Sequence, residues 1–134
     1  MRIALCAMVL GLAACQPAPK LMTLGGVDLS RPLRALGTEP FWGIEVSLDE
    51  VVFTGVDRAD FRAPGPVLRL AGAGAVFTAK DAKGAELTLT LKPDKCSDGM
   101  SDWVYPLSAE VKVAGETLSG CAASQTTLNE RPPA

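Results

Sequence analysis

Beyond Cys15, no stretch of ten or more residues carries apolar side chains at positions i, i+3, i+4 and i+7 without a glycine or proline breaking it. The spacing therefore excludes a domain built on amphipathic helices. From Leu33 onward, short runs rich in Val, Leu, Phe, Trp and Thr alternate with Gly, Pro, Asp and Lys. The pattern is clearest in Glu86–Lys92, where three leucines share one parity and two threonines the other, as expected of a strand with one buried and one wet face. Strands are predicted over 33–36, 42–48, 51–54, 67–71, 75–79, 86–92, 103–113 with a break near Pro106, and 116–122. Turn residues at Asp49-Glu50, Gly72-Ala73-Gly74, Asp81-Ala82-Lys83-Gly84 and Ala114-Gly115 join them locally. The expectation is an all-β domain: a small antiparallel meander barrel of about eight strands, or alternatively a β-sandwich. Barrel closure is favoured because it removes sheet edges.

The N-terminus has a different character. Met1-Arg2 places one positive charge before the apolar run Ile3–Leu12, which ends in small residues, the outline of a secretory signal peptide. Polar Gln16-Pro17 ends this run well short of the roughly 20 apolar residues a spanning helix needs. Leu12-Ala13-Ala14-Cys15 resembles the lipobox of bacterial lipoproteins, in which the cysteine is acylated and becomes the first mature residue. The plain alternative is cleavage at small residues with Cys15 incidental. On the lipobox reading, residues 1–14 are a signal peptide, 15–32 a tether that is proline-rich at its start, 33–122 the barrel domain and 123–134 a C-terminal tail. Gln16, rather than an aspartate, after the cysteine points to the outer membrane by similarity to other lipoproteins.

Loss of residues 1–14 removes only Arg2 from the charged set and leaves a net charge of −3. Such a chain presents no basic field, so nucleic acid is not an expected partner, and membrane attachment rests on the lipid anchor alone. The chain contains no histidine. Its absence removes Ser-His and Cys-His nucleophile activation and the commonest metal ligand, so neither a metal nor a cofactor is expected.

Cys6 leaves with the signal and Cys15 carries the lipid, so Cys96 and Cys121 remain as a pair in an exported chain. That setting favours a disulfide. A metal pair would need further ligands and a redox couple the C-x-x-C spacing, neither of which is present.

Two segments concentrate chemistry-bearing residues. Thr38-Glu39-Pro40-Phe41-Trp42 sets a carboxylate and a rigid proline beside two aromatics at the start of a strand. One reading makes Glu39 and Trp42 an acceptor and a stacking wall for a ligand; the other makes Phe41 and Trp42 a plug at one end of the barrel. Asp94-Lys95-Cys96-Ser97-Asp98-Gly99-Met100-Ser101-Asp102-Trp103 carries three carboxylates. It fails as an EF-hand loop, since Cys96 and Tyr105 occupy the third and twelfth positions. Ser101 follows Gly99 but lacks the second glycine of a nucleophile elbow, since Trp103 stands in its place. Glu39 with Asp98 or Asp102 forms a carboxylate pair on paper, whose separation decides whether glycoside chemistry is open to it.

Gly37-Thr38-Glu39-Pro40-Phe41-Trp42, Cys96-Ser97-Asp98-Gly99-Met100-Ser101-Asp102, Tyr105-Pro106 and Gly120-Cys121 together resemble the pattern of a family of bacterial envelope lipoproteins whose activity is not established. The resemblance covers roughly residues 33–122. It implies an envelope location, supports pairing Cys96 with Cys121, and marks Glu39, Trp42, Asp98, Met100 and Ser101 for attention. The plan is more loosely similar to small periplasmic lysozyme inhibitors, but Ser119-Gly120 is followed by Cys121-Ala122-Ala123, without the aromatic of their inhibitory loop.

The function expected is therefore that of a lipid-anchored periplasmic binding or structural envelope protein without catalytic activity. The alternatives are an inhibitor of a cell-wall hydrolase and a carboxylate-based enzyme. A small ligand or an envelope protein would be held by Glu39, Trp42, Asp98, Ser101, Asp102 and Trp103, with the two indoles flooring one site.

Overall fold

The computed structural model describes Cys15 and residues 22–131. The expected signal peptide and most of the tether lie outside the described residues. The rest is all-β.

A two-residue ladder, β1 (Thr23–Leu24) with β2 (Val27–Asp28), precedes β3 (Leu33–Thr38), β4 (Phe41–Val46), β5 (Glu50–Gly55) and β6 (Phe61–Pro64). After them come β7 (Val67–Ala71), β8 (Gly74–Lys80) and β9 (Glu86–Lys92), then a second small ladder of β10 (Cys96–Ser97) with β11 (Val104–Tyr105). The chain closes with β12 (Leu107–Val113), β13 (Glu116–Ser124) and the short helix α1 (Gln125–Asn129).

Nine strands form one antiparallel sheet in the order β6-β5-β4-β3-β13-β12-β9-β8-β7. Its two edges, β6 and β7, are consecutive in the chain and joined only by Gly65-Pro66. A flat sheet of nine strands would be about 38 Å wide at 4.8 Å per strand, a span that two linking residues at 3.8 Å per Cα step cannot bridge. The sheet is therefore forced to curl into a half-barrel, with 61–71 acting as one bent run shared between its two ends. Gly65 makes the bend at φ +54, and its N–H donates to the Asp49 carbonyl at 2.7 Å.

Period-two alternation fills the inside of the curl. Leu87, Leu89 and Leu91 point inward with Ile44, Phe53, Phe77 and Val111, all essentially solvent-free. Among the described residues no charged or strongly polar side chain is buried. Alternating strand directions place the connections at alternate ends. The far end carries 39–40, 56–60, 81–85 and 114–115, and the near end 47–49, 72–73 and 93–106, with the start of β3 and the end of β13. Leu24, Val27 and Leu29 enter the main core, and the Gly25 turn lies against Pro106 and Leu107, so β1 and β2 close the near end.

The structure revises three boundaries. Phe61–Pro64 is a ninth strand where eight were expected. Its four residues include exposed Arg62 and Pro64, so it reads as loop without its neighbour β5. The β1–β2 hairpin belongs to the fold rather than to the tether. At the other end Ala123 is buried in β13 and α1 follows it, so the folded region runs from Met22 to Arg131 instead of 33–122. The break at Pro106 is real: β11 and β12 belong to different sheets.

Candidate functional site

The insertion 93–106 between β9 and β12 folds back over the outer face of the sheet. Cys96 and Cys121 form a disulfide with Cα atoms 5.5 Å apart, fixing the insertion to β13. Because residues alternate along β13, Cys121 and Ala123 face outward while Leu118 and Ala122 face the main core. Tyr105, Cys121 and Ala123 make a second buried cluster, packed by Leu36, Trp103 and Leu128.

Asp98 organises the loop beyond the disulfide. Its Oδ1 accepts from the backbone N–H of Met100 (2.9 Å) and Ser101 (2.8 Å), and its Oδ2 from the hydroxyls of Ser101 (2.8 Å) and Tyr105 (3.0 Å). Arg131 Nη1 donates to the same Tyr105 oxygen at 3.1 Å, which ties the chain end after α1 to the loop. These donors, the Ser101 N–H first, hold the Asp98 carboxyl down at about 2. Burial, and then the Asp98 bond, push the Tyr105 hydroxyl above its ordinary value.

A depressed carboxylate stabilises the fold fully above its unfolded value and loses that contribution as pH falls through the folded one. We expect the wild-type melting temperature to fall between about pH 4 and about pH 2 more steeply than that of Asp98→Asn, measured on both proteins in parallel. Equal slopes would show that the carboxylate does not hold the loop.

The two singled-out segments meet at their backbones. Thr38 Oγ1 donates to the Asp98 carbonyl oxygen at 2.7 Å, and Thr38 stands directly opposite Phe41 in the β3–β4 register. The residues do not form the expected aromatic floor. Trp42 faces inward, 4% exposed, stacked on Phe53 with centroids 6.4 Å apart. It fits because Gly37 and Gly120 carry no Cβ: one at Gly120 would lie 2.8 Å from Trp42 Cζ2, and one at Gly37 2.7 Å from Cε2.

Trp103 lies in the outer cluster on the opposite face of the sheet wall, its Nε1 buried without a hydrogen-bond partner. The two indoles are thus separated by the sheet itself, which corrects the shared site. Glu39 and Asp102 are exposed, while Asp98 and Ser101 are partly covered and occupied by the loop's own bonds. Among the described residues no cluster of three or more acidic or cysteine side chains is placed to hold a metal ion.

What the sequence reading missed lies one residue from Trp42. Phe41 is 53% exposed on the outer face, beside Val56 at 56%, whose N–H donates to the Phe41 carbonyl at 3.1 Å. Alternation alone carried that signal, since neighbours on a strand point opposite ways and an inward Trp42 requires an outward Phe41.

On one side of this ridge Gly43 floors an open groove of about 480 Å³, walled by Leu36, Phe41, Thr54 and Val56. On the other, Pro40 and Asp57 line a second hollow with Arg58, whose Nε and Nη2 donate to Glu116 at 2.8 and 3.1 Å. Met100, 70% exposed, stands on the loop seated beside Thr38. Open hollows around outward apolar side chains suit a partner's surface better than an enclosed small molecule.

Comparison with known proteins gives no match: no family model covers the chain, and neither a curated relative nor a solved structure of similar fold is found.

Proposed function

We propose that this chain is a lipid-anchored protein of the bacterial envelope that binds a protein partner without catalysing a reaction. The recognition surface is the outer face at the far end, where the Phe41–Val56 ridge adjoins the Asp98–Trp103 loop. The observation that carries this reading is the outward placement of Phe41, Val56 and Met100 on a face whose other half is already covered by the disulfide-held insertion. Large apolar side chains left outside beside a rigid loop are what a docking surface requires. The anchor reading rests on the Leu12-Ala13-Ala14-Cys15 sequence.

Inhibition of a cell-wall hydrolase is the second reading. It is favoured by one feature: the loop 98–102 is held by the disulfide, Thr38 and the Asp98 bonds while presenting Met100 to solvent. An inserting inhibitor needs that combination of rigidity and exposure.

The experiment places a photo-crosslinking amino acid at Val56, Met100 or Lys112 in the native envelope, with a parallel Cys15→Ala chain. Discrete adducts at 56 and 100, absent at exposed Lys112 and lost with Phe41→Asp, are expected, and Cys15→Ala should move the protein to the soluble fraction. Identical patterns at all three positions would refute the binding surface. Membrane fractionation of Cys15→Ala with fatty acid still incorporated would refute the anchor. An adduct with a hydrolase whose activity falls in the complex would select the second reading.

A further inference from the structure

Among the described glycines, Gly43 alone is called for neither by conformation nor by packing. Seven others hold φ between +54 and +85, and at Gly37, Gly55, Gly74 and Gly120 a Cβ would meet a neighbour at 3.0 Å or closer. Gly43 sits in the interior of β4, and a Cβ there would find nothing nearer than 3.9 Å. A glycine inside a strand weakens it, and its use is to let atoms of another molecule come close to the backbone. The space it leaves is the floor of the groove beside Phe41.

The register fixes what surrounds that floor. Leu36, Gly43 and Thr54 stand side by side across β3, β4 and β5, so the missing side chain opens a gap in the outer face between Leu36 and Thr54. Leu36 packs against the disulfide-held insertion, which backs that bank of the gap. The two ends of the groove carry opposite charge. Exposed Arg34 lies on the β3 side, its guanidinium only loosely held by Glu45 at 3.9 Å, and it also lines a smaller hollow of about 150 Å³ that continues the groove over Gly43 toward Val52. Exposed Asp60 lies beyond β5, just ahead of Phe61, and forms no ion pair among the described residues. From β3 to the line of β6 is three strand spacings, about 14 Å.

We propose that this groove takes an aromatic side chain borne on an extended segment of the protein partner, with the ring laid on the Gly43 backbone, an acidic residue at the Arg34 end and a basic one at the Asp60 end. It rests on the reading of this face as a protein-binding surface and names what that surface grips. A flat ring makes use of a floor without a side chain, Phe41 offers it an aromatic wall, and Arg34 offers a cation to its face. About four residue steps of extended chain cover the distance between the charges. The ring is then the buried anchor of the interface, and the charges set the direction in which the segment lies.

The test titrates the peptide acetyl-Glu-Ala-Trp-Ala-Lys-amide into the isotope-labelled chain from Gln16 onward, which contains the whole folded region from Met22 to Arg131. With up to about 10 mM peptide, the amide resonances of Gly43 and Thr54 should shift saturably, and the same peptide with alanine for tryptophan should bind at least about ten-fold more weakly. Gly43→Leu fills the floor and should weaken the tryptophan peptide about ten-fold while its melting temperature stays within a few degrees of wild type; Gly43→Ala should weaken it by less. Equal binding of the two peptides, no saturable shift, or full binding to Gly43→Leu overturns the proposal. So does a saturable Gly43 shift with N-acetylglucosamine in place of the peptide, which would make the groove a sugar site. The underlying reading is scored separately in the envelope, with the photo-crosslinker at Val56. Adducts that survive Gly43→Leu leave the binding surface standing and overturn the groove, whereas peptide binding without any adduct upholds the groove's specificity and removes the envelope partner.

Discussion

Reduction of the Cys96–Cys121 disulfide will lower the melting temperature by roughly 10 to 20 °C. The bond closes a loop across a sequence separation of 25, which in the chain-entropy description stabilises the fold by about 3 to 4 kcal/mol. A second effect adds to this one. The disulfide anchors the insertion whose Tyr105 and Trp103 pack on the outer cluster, so its loss also frees that cluster to open. Calorimetry with and without a reductant, repeated on the Cys96→Ala, Cys121→Ala double variant, measures the change. The reduced protein should also show altered Trp103 fluorescence before the main transition, because the insertion loosens ahead of the main sheet. A fall of less than about 3 °C would mean that Asp98, Thr38 and α1 hold the insertion without help.

Gly120→Ala should do comparable damage. A Cβ at this position would strike the carbonyl oxygen of Leu36 on the adjacent strand and come within 2.8 Å of Trp42 Cζ2. Backbone cannot move aside as a flexible side chain can, and Leu36 lies opposite Cys121 in the β3–β13 ladder. The substitution therefore opposes both that pairing and the seating of Trp42. We expect a loss of at least about 3 kcal/mol, comparable to deleting a large core side chain, seen as insoluble or thermally labile protein. Gly43→Ala is the control. Its Cβ would meet nothing closer than 3.9 Å, and its melting temperature should stay within a few degrees of wild type. Equal behaviour of the two variants would show that β13 can shift away from β3.

The sequence made the class of the fold legible because the strands alternate cleanly. Glu86–Lys92 can be placed from parity alone, the last strand was expected over 116–122, two residues short of its end at Ser124, and the cysteine pair could be assigned by counting. Strand Phe61–Pro64 was not legible, because four residues containing an arginine and a proline acquire strand geometry only through pairing with Glu50–Phe53. The β1–β2 hairpin was signalled by Leu24-Gly25-Gly26-Val27, yet two pairs of residues give no periodicity to detect.

The candidate site was legible as two segments and illegible as an arrangement. Thr38 meets Asp98 across sixty residues, and Arg131 reaches Tyr105 from beyond the last strand. The faces of Trp42 and Trp103 are set by which side of the sheet each strand offers, which depends on register. Asp98 attracted attention as a ligand; its geometry gives it four internal donors and makes it the loop's organiser.

The fifth of the nine strands in space is the last in sequence. β13 stands between β3 and β12, with four strands on either side. Until Ser124 is available, a chain emerging N-terminus first holds two separate half-sheets, β3 to β6 and β7 to β12, joined at the 61–71 bend and each missing its inner neighbour. Both unpaired inner edges are templates for pairing with other chains. Completion of this molecule is therefore a keystone event, in which one late segment turns two sticky halves into a single wall, and a chain cut before residue 116 would remain permanently adhesive rather than merely shorter.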